Sequence, residues 1–132
     1  MPKRYTRPAV PLEADEQKTL FQWASYMSVR HPELLRMYAI PNGGSRNPIE
    51  ARNMKAQGVK AGVPDICLPV PRGGYGALYI EMKRQKGGRL SEEQRDWISG
   101  LLEVGNLAVV CKGFDEARDV IIKYLTNHRI GT

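Results

Sequence analysis

Gly62-Val63-Pro64-Asp65-Ile66-Cys67-Leu68 is followed, after a glycine-rich break, by Leu78-Tyr79-Ile80-Glu81-Met82-Lys83. Apolar residues run from Ile66 to Val70 and from Ala77 to Ile80. The intervening Pro71-Arg72-Gly73-Gly74-Tyr75-Gly76 is dense in turn formers, so two strands joined as a hairpin are predicted. In an antiparallel pair, opposed positions share a constant sum of residue numbers. A turn centred near Gly73 or Gly74 sets Asp65 against position 81 or 82, and so beside Glu81. Side chains alternate along a strand, which puts Tyr79, Glu81 and Lys83 on one face and Leu78, Ile80 and Met82 on the other.

Two carboxylates a few ångströms apart repel unless a cation lies between them, and hard oxygen ligands select Mg²⁺ or Mn²⁺ over zinc. A lysine beside them could hold a scissile phosphate or help deprotonate an attacking water. These residues therefore suit metal-dependent hydrolysis of a phosphodiester. Glu81 and Lys83 alone would equally make a polar pair at the solvated end of a strand. Asp65 brings the chemical reading level with the plain one, because it opens one apolar run while its register partner closes the next, and charged residues are depleted in strands.

The rest of the chain reads as an α/β alternation with a mixed central sheet and helices on both faces. Residues 1–12, with Pro2, Pro8 and Pro11, are expected to form a flexible arm ahead of a single domain over 13–132. A helix is predicted from Ala14 to Val29, with Glu16, Leu20, Trp23, Ala24 and Met27 recurring on one face. Glu16 stands one turn beyond the apolar stripe and in line with it, either at the rim in water or buried with a partner; from the residues alone the rim is expected. A short strand over Met37–Ile40 leads into Pro41-Asn42-Gly43-Gly44, whose glycines permit close approach to a phosphate or simply a strand-to-helix turn. Pro48 suits the first turn of a helix running towards Gln57, with Gly58 as its stop signal. Ser91-Glu92-Glu93-Gln94 reads as a capping box, and Gln94 lies on the inward stripe of Trp97, Ile98, Leu101 and Leu102, where it could serve the cap, the site, or both. A strand over Leu107–Cys111 and a helix over Phe114–Leu125, with Ala117, Ile121 and Leu125 inside, read as scaffold.

A chain of 132 residues with 42% apolar content fits one domain. Cys67 and Cys111 fall inside apolar runs and read as buried thiols without a disulfide. His31 and His128 have no partner at ligand spacing, which argues against zinc. Gly73-Gly74-Tyr75-Gly76 lacks the Gly-Lys-Ser/Thr of a phosphate-binding loop, so no nucleotide cofactor is expected. No run approaches membrane-spanning length and the N-terminus has no secretory pattern, so a soluble, cytoplasmic protein is expected. Net charge is +6. Between Arg46 and Arg89 stand nine basic residues (Arg46, Arg52, Lys55, Lys60, Arg72, Lys83, Arg84, Lys86 and Arg89) against Glu50, Asp65 and Glu81, and eleven of each sign remain elsewhere. The whole excess surrounds the two central acids. It would draw a polyanion there, though a charge excess alone is also what a plain solvated surface carries.

Pro64-Asp65 and Glu81-Met82-Lys83 resemble the pattern of the PD-(D/E)XK nuclease superfamily. Glu16-Gln17, Ile40 through Arg46, Gly58 through Asp65 and Glu81 through Gln94, in that order, resemble the VRR-NUC domain, the virus-type replication-repair nuclease module. No departure from the pattern is seen at these positions. The resemblance implies a restriction-endonuclease-like core with Asp65, Glu81, Lys83 and Gln94 as catalytic residues. It implies Mg²⁺ or Mn²⁺ held by Asp65, Glu81 and the backbone carbonyl of Met82, with Glu16 as an additional acid at the metal. Asn42, Gly43, Gly44, Arg46, Arg52, Lys55, Lys60, Arg84 and Lys86 are the expected nucleic-acid contacts. The implied activity is a metal-dependent endonuclease. The resemblance leaves the substrate open; structured or branched DNA such as a four-way junction is expected, with a homodimer because two symmetric strands need two active sites, while a phage or mobile-element context would fit so small a standalone module. Other readings are a non-cutting nucleic-acid binder on the same fold, which would gain nothing from carboxylates facing phosphates, and a protein-interaction module using the basic surface.

Overall fold

Short apolar runs and segments with a three-to-four-residue apolar period alternate along the chain, and become strands and helices respectively. The computed structural model describes residues 10–42 and 46–126. The first nine residues of the expected arm, together with Gly43, Gly44 and His128, lie outside the described residues. Helix α1 (Glu13–Met27) is followed by a short 3₁₀ helix (Pro32–Arg36), strand β1 (Tyr38–Ala39) and helix α2 (Pro48–Ala56). Then come β2 (Ile66–Leu68), β3 (Leu78–Lys83), α3 (Glu92–Glu103), β4 (Leu107–Lys112) and α4 (Phe114–Leu125).

The strands form one mixed sheet in the order β1-β2-β3-β4. β1 and β2 are antiparallel, as are β2 and β3, whereas β3 and β4 are parallel and joined through α3, the crossover that a parallel pair requires. The hairpin closes where the sequence places it. Arg72 and Tyr75 exchange backbone hydrogen bonds of 3.1 and 2.8 Å around Gly73 and Gly74, whose φ angles of 58° and 90° are those a two-residue hairpin turn demands. Ile66 pairs with Ile80, and the same register carried one step further sets Asp65 against Glu81.

Several boundaries differ from the sequence reading. β2 stops at Leu68 because Pro69 and Pro71 flank Val70 and neither has an N–H to give a ladder. β3 continues past its apolar run to Lys83, since β4 accompanies it from Leu78↔Leu107 to Lys83↔Lys112. β1 is only two residues long, and the 3₁₀ helix begins with Pro32 directly after His31.

Ile66, Leu68, Leu78, Ile80 and Met82 share one sheet face and meet Leu20 and Ala24 of α1 and Ala117, Ile121, Tyr124 and Leu125 of α4. Each fully buried aliphatic side chain here contributes about 1.5–3 kcal/mol relative to exposure. α3 lies across the other face, where its Gln94 reaches Glu81 and Lys83. Trp97, Ile98 and Leu101 of α3 are half-buried, but Leu102, expected to face inward, is 46% exposed. Both cysteines are buried free thiols. Among the described residues no helix is long and apolar enough to cross a membrane.

Candidate active site

Asp65 stands immediately before β2, and its carboxylate Oδ2 accepts the Met82 N–H at 2.8 Å. Its backbone carbonyl accepts the Ile40 N–H at 2.7 Å, which ties the end of β1 to the same point. Glu81 lies across the hairpin at 1% exposure, on the face opposite the Leu78, Ile80 and Met82 row. Glu13, in the first turn of α1, completes a group of three carboxylates whose ligand oxygens all lie within 4.8 Å of one another.

The electrostatics of this group follow from burial first, and for Glu81 then from a hydrogen bond with Asp65 and from its like charge. Burial, and then Asp65 beside it, push the Glu81 carboxyl from an ordinary 4.5 up to about 9, and Lys83 opposes this only in part. Burial first and Asp65 second also raise Glu13. Among the described residues the buried Glu81 Oε1 has no hydrogen-bond partner. An orphaned carboxylate oxygen among two further carboxylates is a poor arrangement for an empty interior and a good one around a hard divalent cation. The donor set, all oxygen, fits a metal of the Mg²⁺ class and could hold such an ion.

Lys83 follows Glu81 on the same face and is 9% exposed. Its Nζ donates to Gln94 Oε1 at 3.0 Å and lies 3.9 Å from Glu81 Oε2. Gln94 Nε2 in turn reaches Glu81 Oε2 at 3.4 Å. The capping box is present: Ser91 Oγ accepts the Gln94 N–H at 3.1 Å, and Gln94 Oε1 accepts the Ser91 N–H at 2.9 Å. Gln94 thus serves the cap and the site together.

Glu16 is the correction. The sequence reading puts it beside the metal and, from the residues alone, at a solvated rim. It is buried at 7% exposure, and its carboxylate is engaged by the Phe114 N–H and the Gln85 side chain instead of joining Asp65 and Glu81. Glu13, one turn earlier, is the α1 carboxylate grouped with Asp65 and Glu81. The signal was present in the spacing: Glu13 stands seven residues before the buried Leu20, two helical turns, which aligns the two within about 20° around the axis.

A family model described as the VRR-NUC domain matches residues 7–115, a span running from the approach to α1 into the start of α4. The chain belongs to the VRR-NUC domain family. Among solved structures, a chain titled a VRR-NUC domain protein is similar at 29% identity and a TM-score of 0.77, covering 89% of this chain and 90% of that one. Among curated proteins none matches. The VRR-NUC domain therefore has a nuclease-type fold, with its acidic group at the hairpin.

In this VRR-NUC domain Arg46, Arg52, Lys55, Lys60, Arg84 and Lys86 are all exposed, as is Asn42. Asn42, Lys55 and Lys60 line a groove of about 520 Å³ with Ala51, Val59 and Ala61. Arg84, the residue after Lys83, donates to the Val10 carbonyl at 3.2 Å, which brings the chain ahead of α1 against the strand end that carries the lysine.

Proposed function

We propose that this VRR-NUC domain is a Mg²⁺- or Mn²⁺-dependent endonuclease that hydrolyses phosphodiester bonds in DNA, with branched DNA such as a four-way junction as its substrate. The observation that carries the reading is Glu81, 1% exposed, with one oxygen unpartnered inside a group of three carboxylates and a buried lysine 3.9 Å from the other. A protein that only bound DNA would gain nothing from acids facing phosphates.

Asp65, Glu81 and Glu13 would hold the cation, with the Met82 carbonyl as a further oxygen. When bound, the metal supplies a Lewis acid for the phosphoryl oxygen and lowers the pKa of a coordinated water. Lys83 donates to the scissile phosphate and offsets the charge that grows on it in the transition state. Gln94 holds the lysine and orients the Glu81 carboxylate. Arg46, Arg52, Lys55, Lys60, Arg84 and Lys86 neutralise backbone phosphates on either side, with Asn42 beside them. A junction presents two symmetric strands, and a two-fold homodimer supplies one centre for each.

The test is cleavage of a labelled panel (four-way junction, splayed arm, flap, duplex and single strand) with Mg²⁺ or Mn²⁺, alongside Asp65→Ala and Lys83→Ala. Metal-dependent cutting of the junction, lost in both variants, is the expected result. No cutting of any DNA, with tight binding retained, would overturn the enzymatic reading. Cutting of a junction by a protein that stays monomeric on it would overturn the dimer.

A further inference from the structure

Glu16 is buried, carries a carboxylate, and stands outside the acidic group. Both of its oxygens are used: Oε2 accepts the Phe114 N–H at 2.8 Å and Oε1 accepts from Gln85 Nε2 at 3.2 Å. Phe114 opens α4, and Gly113, the residue at its N-cap, has no side chain to satisfy that N–H. A carboxylate arriving from another helix does so, at the end where the helix carries partial positive charge. Gly113 also makes room for it. Its φ is 89°, and a Cβ there would run into the Glu16 carboxylate and the Gln85 side chain.

Two routes lead from this carboxylate to the end of β3. Gly113, next to Phe114, donates its N–H to the Lys83 carbonyl at 3.0 Å. Gln85 stands two residues beyond Lys83 on the chain. Glu16 therefore ties α1 to the strand of Glu81 and Lys83 through the β4–α4 junction and through the loop after β3. Glu13 is one turn earlier on the same side of the same helix.

We propose that Glu16 is a positioning residue: it clamps the first turn of α1 to the end of β3, and so sets the reach of Glu13 towards Asp65 and Glu81 without itself touching the cation. The effect on cation binding rests on the metal-centre reading above; the clamp itself does not.

The experiment uses the full chain and Mn²⁺ as probe, with affinities from titration calorimetry for the wild type, Glu16→Ala, Glu16→Gln, Glu13→Ala and the Glu13→Ala/Glu16→Ala double variant. Glutamine keeps an oxygen for the Phe114 N–H, and the Gln85 amide can turn to accept from its NH₂. Glu16→Ala is expected to weaken Mn²⁺ binding about 10-fold or more, as supporting residues of metal sites do. Glu16→Gln should restore most of it, and the double variant should bind no more weakly than Glu13→Ala alone. Ile121→Val, a core change that lowers the melting temperature, should leave the affinity unchanged. Additive losses, or Glu16→Gln as weak as Glu16→Ala, would make Glu16 a direct ligand and overturn the proposal. Hydrogen exchange without metal judges the clamp separately. The Phe114 amide should be protected in the wild type and in Glu16→Gln and fast in Glu16→Ala, and unchanged exchange in Glu16→Ala would overturn the clamp. A wild type with no Mn²⁺ affinity would overturn the metal-centre reading, leaving the exchange result to decide on Glu16.

Discussion

Lys83 Nζ donates to Gln94 Oε1 at 3.0 Å, and the same oxygen accepts the Ser91 N–H that closes the capping box of α3 at 2.9 Å. One side chain starts the helix and holds the lysine, so its substitutions should separate the two duties. Gln94→Glu preserves a capping box but puts a fourth carboxylate beside Glu81. Its melting temperature should stay near wild type while cleavage falls about 10- to 100-fold. Gln94→Ala should keep the Ser91 cap, whose donor is the backbone N–H of residue 94, and lose only the return bond from the Ser91 N–H, a cost below the ~1 kcal/mol of a whole N-cap. Thermal melts and cleavage rates on the same preparations check both.

Asp65 has a structural task beside its chemical one, since Oδ2 accepts the Met82 N–H. Asp65→Asn keeps an acceptor there and removes a charge that faces Glu81. The metal-free variant should melt at or above the wild-type temperature, yet lose Mn²⁺ binding and cleavage. Asp65→Ala leaves that N–H unsatisfied, a cost of about 1–3 kcal/mol that the relief of charge repulsion partly offsets, so it should melt below Asp65→Asn. Equal melting temperatures for the two variants would count against the hydrogen bond.

Stability of the metal-free protein should fall as pH rises. The Glu81 carboxyl goes from an ordinary 4.5 to about 9 in the fold, and Glu13 moves in the same direction. The folded state keeps a proton that the unfolded chain releases, so this contribution is whole below the unfolded value and is lost as pH climbs towards about 9. Melting temperatures measured in chelator should decline across that window, and Glu81→Gln should flatten the decline. Mn²⁺ affinity should rise over the same window, because the cation displaces the retained proton. A metal-free stability that increased with pH there would contradict the burial argument.

Arg52 and Lys55 are exposed on α2, three residues apart. If they neutralise phosphates, Arg52→Ala and Lys55→Ala should each lower the salt slope of DNA affinity by about 1, with cleavage at saturating DNA little changed. Binding titrations at several salt concentrations read this directly. An unaltered slope would place the DNA elsewhere on the basic surface.

Much of the site could be read from local rules. The hairpin turn, the strand period and the register sum bring Asp65 to Glu81, and the Ser91-to-Gln94 spacing announces the start of α3. The dual role of Gln94 was half legible, because its place on the inward stripe of α3 pointed to the sheet while the cap accounted for it equally well. Leu102 misled for a related reason: helical spacing tells which residues share a side, not how wide a stripe the sheet covers, and α3 keeps only a narrow one. β3 outran its apolar run because strand length is set by the partner, and β4 was still 24 residues away in sequence at Lys83.

The deepest division concerns the two glutamates of α1. The helical rise and rotation, common to every α-helix, put positions 13 and 16 on one side once both are helical, although the sequence reading began the helix at Ala14 and α1 begins at Glu13. Chain order and period settle the neighbours along each element in the same way. Which glutamate meets Asp65 and Glu81 depends on how deeply α1 docks and how it is rotated about its axis. Those are set by contacts with α4 and β3, elements about a hundred and about seventy residues further along the chain. The Phe114 N–H at the start of α4 takes the Glu16 carboxylate, and Glu13 is left facing the other acids.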